Sequence, residues 1–154
     1  MIKVRSRYHK TAFKKLAQAA CEVLGVVGDA VVDVDFLSEE EIRSLNEQTR
    51  NIDKVTDVLS YPYLGDASMP MDEQHYPDDF DYSQKAVTLG CMAICREYIK
   101  KAAAEDGDVY ISDVYRAFTH SLLHLFGYDH VTEEQFFVMH AKENEIMSKA
   151  GLLK

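Results

Sequence analysis

VVDVDFLSEEE, residues 31–41, contains the change from strand to helix that places this chain in a structural class. Apolar and acidic residues alternate over residues 31–37, which puts them on opposite faces of a half-buried β-strand. Ser38 followed by Glu41 is a capping-box pattern, and it predicts a helix that reaches about Arg50. A strand that leads at once into a helix indicates a protein that contains both.

The same periodicities predict the elements on either side of this segment. We expect strands at residues 2–7, 58–61 and 86–95, the first at a sheet edge, and further helices at about residues 11–25, 96–105, 110–125 and 131–150. Residues 63–85 lack a periodic apolar pattern and are expected to form a long loop. The order of elements predicts a single α+β domain over residues 1–154, with a small mixed β-sheet packed by about five helices.

The composition is that of an ordinary globular protein, with 47% hydrophobic and 28% charged residues among 154. No apolar run approaches the ~18 residues of a transmembrane helix, so no membrane partner is expected. The N-terminal stretch lacks the features of a secretory signal. Three cysteines, without a CxxC pair, argue against a disulfide framework. These features predict a cytoplasmic protein.

The charge is unevenly distributed along the chain. The formal net charge of −9 argues against a nucleic-acid partner, because phosphate binding depends on Lys and Arg. However, residues 1–21 hold six basic residues and no acidic one, whereas residues 64–85 hold six acidic residues against Lys85 alone. A basic end is more often a solvated face than a nucleic-acid site, so charge leaves the class of partner open.

Three of the six histidines lie in HSLLHLFGYDH, residues 120–130. His120 and His124 are four positions apart, so they share one helix face, and that face lies away from the apolar stripe. Gly127 can end the helix and turn the chain so that His130 returns toward the pair. Three imidazoles without a fourth protein ligand are typical of a catalytic site with one zinc ion, whose open position holds a water with a pKa lowered to about 7.

Other interpretations of the histidines remain open. The same donors suit other divalent transition metals, including nickel, copper and iron. The ligand spacing also matches metzincin proteases, but Ser121 occupies the position where those enzymes need a glutamate as general base. A fourth ligand, such as His140 or Cys91, would close the site and make the metal structural. A surface helix that happens to carry two histidines is the plainest alternative.

Residues 120–130 also resemble H-G-x-L-H-L-x-G-Y-D-H, the signature of the YbeY family of bacterial metal-dependent endoribonucleases. LNEQTRNIDKVTDVLSYP, residues 45–62, resembles the family's L-N-x-x-Y-R-x-x-D-x-P-T-D-V-L-S-F-P. LGCMAIC, residues 89–95, resembles its L-G-D-I-V-I segment more weakly. The three blocks occur in the family's order.

The resemblance implies that His120, His124 and His130 bind the metal. It also implies that Arg50 is the catalytic basic residue facing the site, where a guanidinium can hold a phosphate through two hydrogen bonds and stabilise developing charge. The implied function is a single-strand-preferring zinc-dependent endoribonuclease that matures the 3′ end of 16S ribosomal RNA during ribosome biogenesis.

The substrate implied by the resemblance is RNA of the small ribosomal subunit, and the implied protein partners are ribosomal proteins or assembly GTPases. Two alternatives are an atypical zinc metalloprotease and a metal-stabilised ribosome-assembly factor without catalysis. The sequence does not predict the oligomeric state.

The chain departs from the family pattern at several positions. Ser121 replaces a glycine, Thr49 and Val55 replace a tyrosine and a proline, and Cys91 replaces an aspartate. The loop at residues 63–85, which we call the acidic loop, is longer than the corresponding loop of the family. We expect it to point away from the cleft or to meet a basic protein. Asp129 is either a residue that orients a neighbouring ligand or a residue of the turn.

Overall fold

The computed structural model describes residues 1–153. Within these residues the chain forms five strands and five helices. They are β1 (Ile2–Ser6), α1 (Lys10–Leu24), β2 (Ala30–Phe36), α2 (Glu39–Arg50), β3 (Val58–Pro62), β4 (Phe80–Asp81), β5 (Ala86–Ile94), α3 (Arg96–Asp106), α4 (Tyr110–Leu125) and α5 (Glu133–Lys149). Over the same residues, no helix has the length and apolar character needed to span a membrane. The predicted α+β class, with a mixed sheet and five helices, is confirmed.

The sheet has the strand order β1-β2-β5-β3. Strands β1, β2 and β5 are parallel, and β3 runs antiparallel to β5. The short β4 pairs with the start of β5, so it continues the β3 edge. The prediction that residues 63–85 form only a loop was therefore wrong at β4, because two residues are too few for an alternating pattern to show.

Side chains alternate between the two faces of the sheet, and each face carries its own core. Met92 and Ile94 of β5 face a large core shared with α1, α4 and α5. Ala93 of β5 and Leu59 of β3 face a smaller core closed by Ile42 of α2. Helices α2 and α4 therefore pack on opposite faces of the sheet.

Small residues let α4 lie close to β5 and β3. A Cβ atom on Gly90 would lie 2.5 Å from the carbonyl oxygen of Tyr61 and 2.9 Å from a methyl group of Leu125. The buried hydroxyls of Ser60 on β3 and Ser121 on α4 are hydrogen-bonded at 2.7 Å. The serine that replaces the family glycine thus has a polar partner across the helix–sheet contact.

The acidic loop is fixed at the edge of the sheet where the parallel strands begin. The backbone N–H of Met71 donates to Val27 O at 2.7 Å, and the N–H of Asp29 donates to Met71 O at 3.0 Å. Gly28 has a φ of +85°, and a Cβ atom there would lie 2.2 Å from Met71 O, so this crossing requires glycine. The buried Met71 side chain anchors the loop in the main core.

Candidate metal centre

The last turns of α4 and the loop that follows bring three imidazoles together. His120 and His124 lie one turn apart on the same face of α4, both partly exposed. The chain turns back at Gly127, which adopts a left-handed φ of +96°, and this places His130 beside them. One nitrogen from each ring lies within 4.8 Å of the other two, so the group could hold a metal ion.

The hydrogen bonds of the two α4 histidines determine which ring nitrogen carries the proton. Nδ1 of His120 lies 2.8 Å from Oε2 of Glu143, and Nδ1 of His124 lies 2.9 Å from the carbonyl oxygen of Tyr128. Both partners are acceptors, so in each neutral ring Nδ1 donates and Nε2 keeps its lone pair. The two Nε2 atoms are 3.1 Å apart, where facing lone pairs repel unless a cation binds them. This donor set fits a divalent metal.

Burial favours the neutral form of His124, one of the three candidate ligands. Loss of solvation lowers the pKa of His124 below its ordinary value, and the neighbouring His120 adds to this effect. A neutral imidazole is the form that binds metals, so His124 does not need to lose a proton near neutral pH.

Glu143 belongs to this candidate site, and the sequence analysis missed it. It lies on α5, its side chain is 7% exposed, and it accepts hydrogen bonds from His120 and from Nη1 of Arg116, the latter at 3.4 Å. A carboxylate that accepts from a ligand histidine fixes the orientation of the ring and makes it a stronger donor. A signal was present, because Glu143 stands between Met139 and Ile146 on the buried stripe of α5, and buried carboxylates are rare unless they are paired.

Arg50 lines the same cleft from the last turn of α2. The helix begins at the predicted capping box of Ser38 and ends at Asn51, whose left-handed conformation turns the chain toward β3. Nη2 of Arg50 donates to the carbonyl oxygen of Ser60 at 2.7 Å, and its guanidinium lies 5.7 Å from the centre of the Tyr61 ring. These contacts hold the guanidinium at the cleft. Its other N–H groups have no hydrogen-bond partner within residues 1–153 and can bind an anion.

The cleft that holds these groups has a volume of about 570 Å³. Its walls are the end of α2, the residues just before β3, β3 itself, the end of α4 and the turn that follows α4. Its lining residues are Arg50, Thr56, Asp57, Val58, Leu59, Ser60, Pro62, His120, His124, Gly127, Tyr128, Asp129 and His130. This lining contains no residue of the acidic loop, in agreement with the expectation that the loop points away.

Two acidic residues in the cleft have local roles. Asp129 accepts from the backbone N–H of His130 at 2.8 Å, as a turn residue does. Asp57 accepts from the N–H of Val58 at 2.8 Å and so shapes the entry into β3. The carboxylate in contact with one of the candidate ligand rings is that of Glu143.

The candidates for a fourth ligand lie elsewhere. Cys91 is on β5, where its sulfur accepts a hydrogen bond from the hydroxyl of Tyr63 at 3.3 Å. His140 is exposed on α5 and stacks on Phe136 at 5.9 Å. Among residues 1–153, the group that could hold a metal contains three ligands, which is the composition of an open site.

Comparison with known proteins places this arrangement in a family. The family model described as Endoribonuclease YbeY matches residues 1–151. In structure, the chain is similar to the solution structure of TM1509 from Thermotoga maritima, with a TM-score of 0.58 and 26% identity, over 97% of this chain and 91% of that one.

Individual relatives carry the same name as the family model. Endoribonuclease YbeY of Thermoanaerobacter sp. (strain X514) is 34% identical over 139 residues, which is 90% of this chain and 86% of the relative. The protein of that name from Caldanaerobacter subterraneus subsp. tengcongensis is 37% identical over 135 residues, 88% of this chain and 83% of the relative. The one from Agathobacter rectalis is 34% identical over 152 residues, 96% of this chain and 90% of the relative. This chain therefore belongs to the endoribonuclease YbeY family.

Proposed function

We propose that this chain is a metal-dependent endoribonuclease that hydrolyses phosphodiester bonds of single-stranded RNA. One observation carries the proposal. The Nε2 atoms of His120 and His124, each with its lone pair available, lie 3.1 Å apart in a cleft that also contains the guanidinium of Arg50. The endoribonuclease name of the relatives supports RNA as the substrate class. We further propose ribosomal RNA of the small subunit as the substrate, cleaved during ribosome biogenesis.

His120, His124 and His130 would hold the metal, and we propose one zinc ion per chain. Three neutral nitrogen donors suit zinc and leave coordination positions for other molecules. When bound, the ion supplies Lewis acidity, which makes water more acidic or polarises a phosphate oxygen. Glu143 keeps the ring of His120 in its ligand orientation throughout.

Arg50 would bind the scissile phosphate. A guanidinium has five N–H donors, and one of them is engaged by Ser60 O. The remaining donors can contact two phosphate oxygens at once and stabilise the charge that develops as the phosphorus is attacked. The Ser60 contact limits the motion of the side chain, so less entropy is lost when the phosphate binds.

The two alternative functions lack equivalent support. Ser121 stands where a metzincin protease needs its general base, and its hydroxyl is buried and paired with Ser60. A purely structural metal is normally closed by four protein ligands, whereas three are grouped in the part of the chain described here.

The same proposal covers the extent of the domain, the cellular compartment and the partners of the enzyme. The family model spans residues 1–151, which supports one nuclease domain over the whole chain. We propose that it works in the cytoplasm, where ribosomal RNA is matured, with ribosomal proteins or assembly GTPases as partners.

The experiment that tests this function combines metal analysis with cleavage of ribosomal RNA. Protein purified without added metal should contain, or take up, about one zinc ion per chain. Cleavage should stop when a chelator is added and return with zinc. A His124→Ala variant should lose both metal and activity, whereas the matched His140→Ala variant should keep both. Zinc bound without any cleavage would favour the assembly factor, and failure to bind supplied zinc would overturn the proposal.

A further inference from the structure

A second cleft, of about 640 Å³, opens at the other end of α4 from the histidines. It lies at the edge of the sheet where β1 and β2 end, and clefts outside the carboxyl ends of parallel strands are common ligand sites. We call it the basic–aromatic cleft. Its lining residues are Arg7, Tyr8, Val34, Asp35, Phe36, Leu37, Ser38, Arg96, Glu97, Lys100 and Tyr110.

Within residues 1–153, three cations of this cleft have no carboxylate partner. Arg7, Arg96 and Lys100 make no ion pair or side-chain hydrogen bond within residues 1–153. Three unpaired cations that converge on one cavity are available to an anionic ligand.

Aromatic rings stand beside each of these cations. The guanidinium of Arg96 lies 4.0 Å from the centre of the Tyr8 ring and 4.9 Å from that of Phe36. The ammonium of Lys100 lies 5.9 Å from the centre of the Tyr110 ring. Tyr8 is 37% exposed, so part of this surface remains accessible to solvent. Planar guanidinium and aromatic groups are the surfaces on which unpaired nucleobases stack.

We propose that the basic–aromatic cleft binds a phosphate and an adjacent base of single-stranded RNA. The inference rests on the proposed function and adds a substrate contact separate from the metal centre. Asp35 and Glu97 also line the cleft, so its formal charge is +1, from three cations and two carboxylates. Because this excess of positive charge is small, charge alone would hold a ligand weakly. The cleft therefore favours a ligand that also stacks on its rings.

Helix α4 sets the distance between the two sites. Tyr110 at its start lines the basic–aromatic cleft, and His124 near its end lines the histidine cleft. Fourteen residues separate the two positions, which corresponds to about 21 Å along the helix axis. This distance equals roughly six nucleotides at a stacked rise of about 3.4 Å. An unstacked strand extends further per nucleotide, so a strand of about twelve nucleotides is long enough to contact both clefts, whereas a dinucleotide is too short.

The test uses a double variant of the two exposed cations, Arg7→Ala with Lys100→Ala. The matched control, Lys15→Ala with Lys149→Ala, removes the same charge from α1 and α5, where neither residue lines this cleft. We would measure the Kd of a labelled, unstructured RNA of about twelve nucleotides, twice the distance between the clefts, at several salt concentrations. Thermal unfolding and zinc content confirm that each variant is folded and loaded.

The cleft variant should bind the RNA at least about tenfold more weakly in low salt than the control does. The slope of log Kd against log salt should fall by about 0.7, the value for one lost phosphate contact on a single strand. A dinucleotide should be cleaved equally by the control and the variant, because it cannot reach both sites.

The outcomes separate this inference from the proposed function. Unchanged RNA affinity in the cleft variant, with a wild-type protein that cleaves RNA, would overturn this inference alone. RNA binding that depends on the cleft, in a wild-type protein without cleavage, would support the inference and overturn the nuclease function. Competition by adenosine monophosphate as strong as that by the oligonucleotide would identify a free nucleotide as the ligand and overturn the RNA contact.

Discussion

Oε2 of Glu143 accepts a hydrogen bond from Nδ1 of His120 at 2.8 Å, although the two residues are 23 positions apart and lie on different helices. The carboxylate also lies against the guanidinium of Arg116. It therefore links a cation on one side to a candidate metal ligand on the other. The metal affinity of this centre should depend on α5 as well as on the three histidines.

Glu143→Gln should weaken zinc binding. The glutamine keeps the shape of the side chain but loses the negative charge that makes His120 a stronger donor, so the Kd for zinc should rise about 10- to 100-fold. Competition against a chromophoric chelator measures the change. Glu145→Gln on the same helix is the matched control, because Glu145 is exposed and its ion pair within residues 1–153 is with Lys142, at 3.6 Å. Equal zinc affinity in both variants would remove Glu143 from the metal centre.

Arg50→Ala should reduce RNA cleavage and leave zinc binding unchanged. The loss of a donor to the developing phosphate charge typically lowers kcat by about 10²–10³-fold. Arg43→Ala is the control from the same helix, since Arg43 is exposed and pairs with Asp53 at 2.7 Å. The measurement is single-turnover cleavage by zinc-loaded protein. Full activity in Arg50→Ala would show that this guanidinium has no part in the reaction.

A double-mutant cycle should detect a coupling energy between Ser60 and Ser121. Ser121→Ala leaves the buried hydroxyl of Ser60 without its partner and should cost about 1–3 kcal/mol of unfolding free energy. The double variant with Ser60→Ala removes both hydroxyls and should recover much of this loss. Urea denaturation of the four proteins gives the coupling. Additive effects of the two substitutions would contradict the hydrogen bond.

Gly90→Ala should destabilise the protein by pushing Tyr61 of β3 and Leu125 of α4 away from β5. The added Cβ would lie 2.5 Å from Tyr61 O, so backbone must shift, and overpacking of this kind costs about 1–3 kcal/mol or more. Gly65→Ala has nothing within 4 Å of its Cβ and should change the unfolding free energy by no more than about 0.5 kcal/mol. Thermal and urea unfolding compare the two. A neutral Gly90→Ala would mean that the helix does not depend on this close approach.

His9 should make the fold sensitive to acid. Burial lowers the pKa of His9, and the nearby Arg96 adds to this effect. The unfolded chain therefore binds a proton more readily than the native state, and stability is lost as the pH falls through the unfolded pKa of about 6.5. His9→Asn tolerates the left-handed backbone at this position and should reduce the loss between pH 7.5 and 5.5. The exposed His140→Asn is the control, and equal acid sensitivity in both variants would contradict this role.

Local patterns were sufficient to predict most of the fold. Alternation identified β2, the Ser38 capping box identified the start of α2, and glycine signals identified the ends of helices such as α1 at Gly25. These features depend on neighbours within a few positions, which is why a sequence shows them. The two-residue β4 and the anchoring of the loop at Met71 depend on distant partners, and no local pattern shows those.

By itself, the sequence determined the element order, the shared face of His120 and His124, and the family, because periodicity and motif spacing are properties of the chain alone. Only the tertiary structure decided that Glu143, from α5, orients one of these rings, and that Arg50, from α2, lines the same cleft. It also decided that Ser121 is matched by Ser60. The physical reason is common to all three: the contacts join elements far apart in sequence, and the packing of helices on a twisted sheet sets their distances.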